Sequence, residues 1–321
     1  MKKFILVCLL VLMSFGLISC TKDKDESYTD ESYTKEELSF GIKGYEVNGE
    51  LIKPKNSNKP KIAVIVGGSG PTDRDANING LHPYKDIAIG LAEKGIASFR
   101  YDKRAFSHKD KINMEIALET ASKEEYLDDY NEVINYLVKR SDIDSNNIYT
   151  IGHSQGGYFI PKFEKTNNKP KAYIFLAAPS SGIDDALIEQ TTKILQTPNL
   201  PDDQRKQYEE IKKQAEKVKT LNELSPNELV AGLSTKYWME LKNYNVVEEV
   251  KKINKPMLFL QGEDDFNVPF EREILRYKKA LKGREDVQFK TYKDVTHMFT
   301  KGKSTTVESE VINDIASFIN K

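Results

Sequence analysis

From Phe40 onward the chain alternates short apolar runs with amphipathic stretches. Apolar runs at 62–66, 96–101, 148–151, 172–177, 257–260 and 287–292 have the length and texture of strands buried on both faces. Between them, helical patterns occupy 84–94, 124–139, 271–281 and 307–319. Strands that alternate with helices predict an α/β class, with a mostly parallel central sheet and helices on both faces. At the start of this region Tyr45-Glu46-Val47 and Glu50-Leu51-Ile52 flank Asn48-Gly49, a pattern that predicts a tight hairpin.

The alternation pauses between about 180 and 251, a stretch rich in Lys, Glu and Gln without a clear strand pattern. It reads as a helical cap inserted over the sheet. Ser225-Pro226-Asn227-Glu228 has capping-box spacing with proline at the first helical position, which predicts a helix start there. At the other end of the chain, Lys2 and Lys3 precede an apolar run from Phe4 to Ile18, followed by Ser19 and Cys20. About fifteen apolar residues fall short of the roughly 20 that cross a bilayer, so the run reads as a secretory signal peptide over 1–19. Residues 20–38 are polar and contain the repeated Asp-Glu-Ser-Tyr-Thr, a composition that predicts a flexible tether. The folded domain is expected over 39–321.

Composition narrows the options. The 321 residues are 39% hydrophobic and 30% charged, which suits a globular domain with a large core. With 48 basic and 49 acidic residues the net charge is -1, so no global field would recruit nucleic acid or an anionic membrane. Cys8 lies in the signal and Cys20 is the other cysteine, so no disulfide is expected in the mature domain. Leu17-Ile18-Ser19-Cys20 resembles a bacterial lipobox, which implies export, acylation of Cys20 and anchoring to a membrane of the cell envelope.

The chemistry centres on Gly152-His153-Ser154-Gln155-Gly156, a G-x-S-x-G pattern directly after a predicted strand and before a helical segment. That context is the nucleophile elbow of α/β hydrolases, with Ser154 at the turn and glycines where the chain passes close to its neighbours. A serine hydroxyl needs an adjacent base, normally a histidine oriented by a carboxylate. Of the four histidines, His153 should point away from the reaction side and serve packing, while His82 and His108 precede the serine. The triad order of this fold is serine, acid, histidine, which selects His297. The acid should follow the strand at 257–260, where Glu263, Asp264 and Asp265 compete. Backbone donors for an oxyanion are expected from Gln155, just after the nucleophile, and from the loop Gly67-Gly68-Ser69-Gly70-Pro71, with Ser69 preferred and Gly68 the alternative. No clustered Cys and His set argues for a metal, and no cofactor is expected.

Together with Gly68-Ser69-Gly70-Pro71-Thr72-Asp73-Arg74-Asp75, Arg100-Tyr101-Asp102-Lys103-Arg104, Tyr237-Trp238 and Leu260-Gln261-Gly262-Glu263-Asp264-Asp265, the chain resembles bacterial α/β-hydrolase carboxylesterases with a GSGPxDRD loop, a group similar to the S33 serine aminopeptidases. The resemblance implies an α/β-hydrolase fold and hydrolysis of short acyl esters. Its G-x-x-D-x-x-V-P pattern, counted from Gly262, selects Asp265. The chain departs from the group at Ala105, where glycine is common, and at Gly67, where related loops begin with histidine. Trp238 is expected either to shape the substrate pocket or to pack the cap, and Asp73, Arg74 and Asp75 either to line the pocket mouth or to form a structural ion-pair network. Alternative functions are a peptidase or amidase on the same triad, and a non-catalytic binding lipoprotein.

Overall fold

The computed structural model describes residues 32–321. The signal peptide, Cys20 and the first part of the expected tether lie outside them. The strands are β1 (Tyr33–Phe40), β2 (Val47–Pro54), β3 (Ile62–Val66), β4 (Ala97–Tyr101), β5 (Ile148–His153), β6 (Ala172–Leu176), β7 (Leu229–Val230), β8 (Leu233–Ser234), β9 (Met257–Gly262) and β10 (Val287–Tyr292). The helices are α1 (Pro83–Glu93), α2 (Arg104–Ser107), α3 (Met114–Glu119), α4 (Asp128–Leu137), α5 (Gln155–Tyr158), α6 (Ile160–Thr166), α7 (Ile183–Leu195), α8 (Asp202–Val218), α9 (Thr235–Lys242), α10 (Val246–Val250), α11 (Phe270–Ala280) and α12 (Ser309–Asn320). One π-helical turn, Lys123–Leu127, leads into α4.

Eight strands form one sheet in the order β1-β2-β4-β3-β5-β6-β9-β10. From β4 to β10 the ladders are parallel, whereas β2 runs antiparallel to both β1 and β4. Parallel strands require crossover helices, and these cover both faces. On one face α1 and α12 bury Leu91 and Ile315 against Ile65 and Ile174. On the other, α4, α6, α11 and the cap pack around Phe99, Phe159, Phe175 and Phe259.

Three expectations are corrected here. The tether does not extend to residue 38, because Tyr33–Phe40 is an edge strand in register with β2. Its polarity hid it: Tyr33, Leu38 and Phe40 meet the core, while Thr34, Lys35, Glu37 and Ser39 face water. The Asn48-Gly49 hairpin does not form, since β2 runs straight through both residues. A Cβ on Gly49 would lie 2.4 Å from the Phe99 ring, so the glycine permits close strand packing and not a turn. The turn comes earlier, where Gly41 and Gly44 adopt φ of 115° and 88°. Finally, Ser225–Glu228 leads into the small β7–β8 hairpin and not into a helix. The cap serine is Ser234, whose Oγ accepts the Tyr237 N–H at the start of α9.

The insertion between β6 and β9 is otherwise helical, as expected, with α7 to α10 forming a cap. Two polar anchors fix it. The Glu273 carboxylate of α11 accepts the N–H and hydroxyl of both Ser180 and Ser181, where the insertion begins. Glu240 of α9 pairs with Lys162 and Ser122 of the sheet domain.

Candidate active site

The C-terminal ends of β3, β5, β9 and β10 converge on one cavity. Ser154 sits between β5 and α5 with φ 53° and ψ -123°, outside the regions open to ordinary residues. Such a conformation costs of order 1–3 kcal/mol and persists only where surroundings enforce it. Here the Ser154 N–H donates to the Leu176 carbonyl of β6 over 2.8 Å. The tight turn also explains its glycines. A Cβ on Gly156 would lie 2.6 Å from the carbonyl oxygens of Val66 and Gly67, and one on Gly152 would lie 2.7 Å from the backbone of Gly156 and Gly157.

Strand β9 ends at Gly262, and the following turn separates the three competing carboxylates. Glu263 and Asp264 are exposed, whereas Asp265 is buried. Its Oδ1 accepts the N–H groups of Asn267 and Val268, each at 2.8 Å. Its Oδ2 accepts from Gln261 Nε2 and from His297 Nδ1, also at 2.8 Å. The carboxylate therefore holds the imidazole with Nδ1 as donor and Nε2 able to take a proton. His297 rides on the loop after β10, which is closed by an antiparallel bridge between Val295 and Lys301, with the Thr296 N–H donating to the Thr300 carbonyl at 2.9 Å.

Ser154 and His297 line the same cavity, about 50 Å³ in volume, together with Gly68, Ser69, Gln190, Asn267 and Met298. The structure thus brings Ser154, Asp265, His297 and the Gly68–Ser69 loop to one place. The Ser154 hydroxyl makes no hydrogen bond within 3.5 Å to another described residue. Nucleophile–base contacts commonly tighten only when substrate is bound.

His153 does more than the expected packing. Its Nε2 lies 3.0 Å from the His297 carbonyl, which can only accept, so Nε2 carries the proton. Nδ1 then accepts from the Tyr84 hydroxyl at 2.8 Å, and the Tyr84 oxygen accepts the Gly68 N–H at 3.0 Å. Burial, and then the neighbouring His297, push the His153 pKa down to about 3, so the ring is neutral near pH 7. This chain ties the base loop, the elbow and the β3 loop together. The Gly68 N–H is thus engaged by Tyr84. Tyr84 escaped sequence reasoning, since a tyrosine in the first turn of an amphipathic helix reads as core.

The acidic and basic residues after Pro71 form the ion-pair network. Asp75 and Glu50 flank the buried Arg100 guanidinium at 2.7 and 2.8 Å, Arg74 pairs with Glu37, and Asp73 Oδ1 caps the N–H groups of Asp75 and Asn77. Trp238 packs the cap: its indole N–H donates to the Val230 carbonyl at 2.6 Å. It borders a separate cavity of about 490 Å³ with Tyr158, Ser180 and Tyr244, and does not line the one containing Ser154. Among the described residues no three His, Cys, Asp or Glu side chains gather as a metal site.

Comparison with known proteins identifies the family. Residues 81–303 match the family described as serine aminopeptidase, S33. Esterase EstD of Thermotoga maritima is 32% identical over 297 residues, covering 88% of this chain and 68% of that protein. Among solved structures, Est1E from Butyrivibrio proteoclasticus superposes with a TM-score of 0.58 at 21% identity, covering 88% of this chain and 97% of its own. The Pyrococcus furiosus esterase Pf2001 superposes with a TM-score of 0.60 at 16% identity, covering 90% and 91%. The chain belongs to the α/β-hydrolase family described as serine aminopeptidase, S33, and is a hydrolase.

Proposed function

We propose that this hydrolase cleaves short-chain acyl esters with Ser154 as nucleophile, His297 as general base and Asp265 as the group that orients the imidazole. The observation that carries the reading is the 2.8 Å bond from His297 Nδ1 to Asp265 Oδ2 beside a cavity that also contains Ser154 at its strained elbow. In the first step His297 Nε2 takes the Ser154 proton as Oγ bonds to the ester carbonyl carbon. The N–H groups of Ser69 and Gln155 hold the resulting oxyanion, Gln155 being the first residue of α5, whose N–H has no partner within the helix. Collapse expels the alcohol, which leaves with the proton from His297. Water then attacks the acyl-enzyme with His297 again as base, and the carboxylic acid and free Ser154 are regenerated.

The similarity to esterase EstD supports an ester substrate, and the small cavity supports a short acyl group. The family description also raises an aminopeptidase reading. Against it, no described residue lining the Ser154 cavity is a carboxylate that could hold a substrate ammonium. The test is turnover of p-nitrophenyl esters of increasing chain length beside aminoacyl anilides, with wild type and Ser154→Ala. Loss of the nucleophile should cost on the order of 10⁶ in turnover, and equal activity in both proteins would refute its role. The same proposal includes export and lipid anchoring through Cys20. Incorporation of a labelled fatty acid that is abolished by Cys20→Ala, with release of the protein from membranes, is the expected outcome.

A further inference from the structure

We infer that Lys103 and Tyr126 position the Ser69 N–H as an oxyanion donor by fixing the Gly68–Ser69 peptide plane, and that the cap helix α9 is coupled to that plane through Tyr237 and Glu125. The inference rests on the proposed hydrolytic reading and extends it to residues that touch neither substrate nor the triad.

The Gly68 carbonyl is held twice, by Lys103 Nζ at 3.0 Å and by the Tyr126 hydroxyl at 2.7 Å. Across a trans peptide the N–H of the next residue points opposite to this carbonyl. Pulling the Gly68 oxygen toward Lys103 and Tyr126, neither of which lines the Ser154 cavity, therefore turns the Ser69 N–H toward the side on which Ser69 does line it. The Gly68 N–H is fixed separately by Tyr84, so the preceding peptide plane is also set. The Tyr126 oxygen lies 3.2 Å from Gln155 Oε1 as well, so one phenol meets the carbonyl of the peptide that carries the Ser69 N–H and the side chain of Gln155.

Lys103 is almost wholly buried, at 4% exposure, and its ammonium also donates to Glu125 Oε1 at 2.6 Å and to the Tyr126 oxygen at 2.8 Å. A buried ion pair adds little net stability because desolvation offsets the attraction. What it supplies is a fixed direction for the donor. The second oxygen of Glu125 accepts the Tyr237 hydroxyl at 2.6 Å, and Tyr237 belongs to α9 and is fully buried. A continuous path thus runs from the cap through Tyr237, Glu125 and Lys103 to the Gly68 carbonyl. It gives a role to Lys103 and Tyr237, one residue from each of two sequence motifs that the triad leaves unexplained.

The test uses Tyr126→Phe, the charge-neutral pair Lys103→Met with Glu125→Gln, and Tyr237→Phe, with thermal unfolding of each. Turnover of p-nitrophenyl acetate is measured beside inhibition by a short alkyl boronic acid, whose tetrahedral adduct on Ser154 needs the same oxyanion donors. Losing one such donor costs 10²- to 10³-fold in related hydrolases. Misaiming it should lower kcat about 10- to 100-fold in the first two proteins with KM within about twofold, and boronate affinity should fall in parallel. Tyr237→Phe should move both in the same direction by less. Folded Tyr126→Phe or Lys103→Met/Glu125→Gln protein with wild-type kcat overturns the inference. So does loss of kcat with unchanged boronate affinity, the outcome of a merely structural role. Absence of ester turnover in the wild type, or activity in Ser154→Ala, would instead refute the underlying hydrolytic reading.

Discussion

His153 Nε2 donates to the backbone carbonyl of His297 over 3.0 Å, so the histidine beside Ser154 supports the loop that carries His297. Their rings stand 4.7 Å apart, and Tyr84 fixes the far nitrogen of His153. Only a neutral His153 keeps Nδ1 as an acceptor for the Tyr84 hydroxyl.

This neutrality predicts a pH dependence of stability. An unfolded histidine titrates near 6.5, whereas burial and the neighbouring His297 push folded His153 down to about 3. Between these values the unfolded chain binds a proton that the folded chain refuses, so stability falls as pH drops from about 6.5 toward 3. The contribution is fully present above 6.5. One proton corresponds to a slope of about 1.4 kcal/mol per pH unit. His153→Gln should be less stable at pH 7, because the Tyr84 hydroxyl loses its acceptor at Nδ1, yet show a shallower decline with acid. Urea midpoints from pH 4 to 7 measure both, and an unchanged slope would contradict the assignment.

Asp265→Asn is expected to abolish most activity while Asp264→Asn spares it. Every oxygen of Asp265 faces donors: Asn267 N–H and Val268 N–H on one side, Gln261 Nε2 and His297 Nδ1 on the other. An amide in either orientation points an NH2 group at N–H donors, so the site loses the all-acceptor, charged carboxylate that orients the imidazole and stabilises it when protonated. A fall of about 10⁴-fold in kcat is expected by analogy with other triads. Asp264 is exposed, and it is its backbone N–H that meets the Val295 carbonyl. Its amide variant should stay within about twofold in kcat. Steady-state kinetics of the two proteins separate the neighbouring carboxylates.

Much of this was legible because the informative residues obey local rules. The central parallel strands β3 and β6 are unbroken apolar runs, since both faces are covered, and G-x-S-x-G declares its turn through glycines that backbone packing demands. The failures share one cause, namely partners distant in sequence. β1 is polar because only Tyr33, Leu38 and Phe40 bring apolar side chains to the core, and its pairing with β2 is invisible in the texture of its own eight residues. Gly49 reads as a turn residue until Phe99 is seen against it. Tyr84, Lys103 and Tyr126 carry no local signal, because what each does depends on the Gly68 peptide 16 to 58 residues away.

Acid should also loosen the cap. Burial alone would raise the Glu273 pKa, but donors from Ser180, Ser181 and Arg272 outweigh it and hold the carboxyl below its ordinary value of 4.5. A depressed carboxylate contributes stability above the unfolded value and loses it as pH falls through the folded one. Glu273→Gln, with one acceptor oxygen in place of two, should cost about 2–4 kcal/mol at pH 7. The gap to wild type should narrow below about pH 4. Chemical denaturation across that range, with limited proteolysis near Ser180 and Ser181, measures it. A gap that widens in acid would contradict the assignment.

Gly262→Ala tests how tightly the acid and base loops are joined. A Cβ at this last residue of β9 would stand 2.2 Å from the Val295 carbonyl oxygen and 2.8 Å from that of Thr296. Both atoms are backbone, so no side-chain rotation relieves the overlap, and the loop carrying His297 must move away. Displacing a catalytic group by about 1 Å can cost 10²-fold in rate, so kcat should fall by that order together with the melting temperature. Gly283→Ala is the control: its Cβ meets nothing within 4 Å, and its φ of +89° adds only backbone strain of about 1–3 kcal/mol. That variant should melt earlier with wild-type kcat. If Gly262→Ala instead kept wild-type turnover, the His297 loop would have to tolerate a shift that its bond to Asp265 forbids.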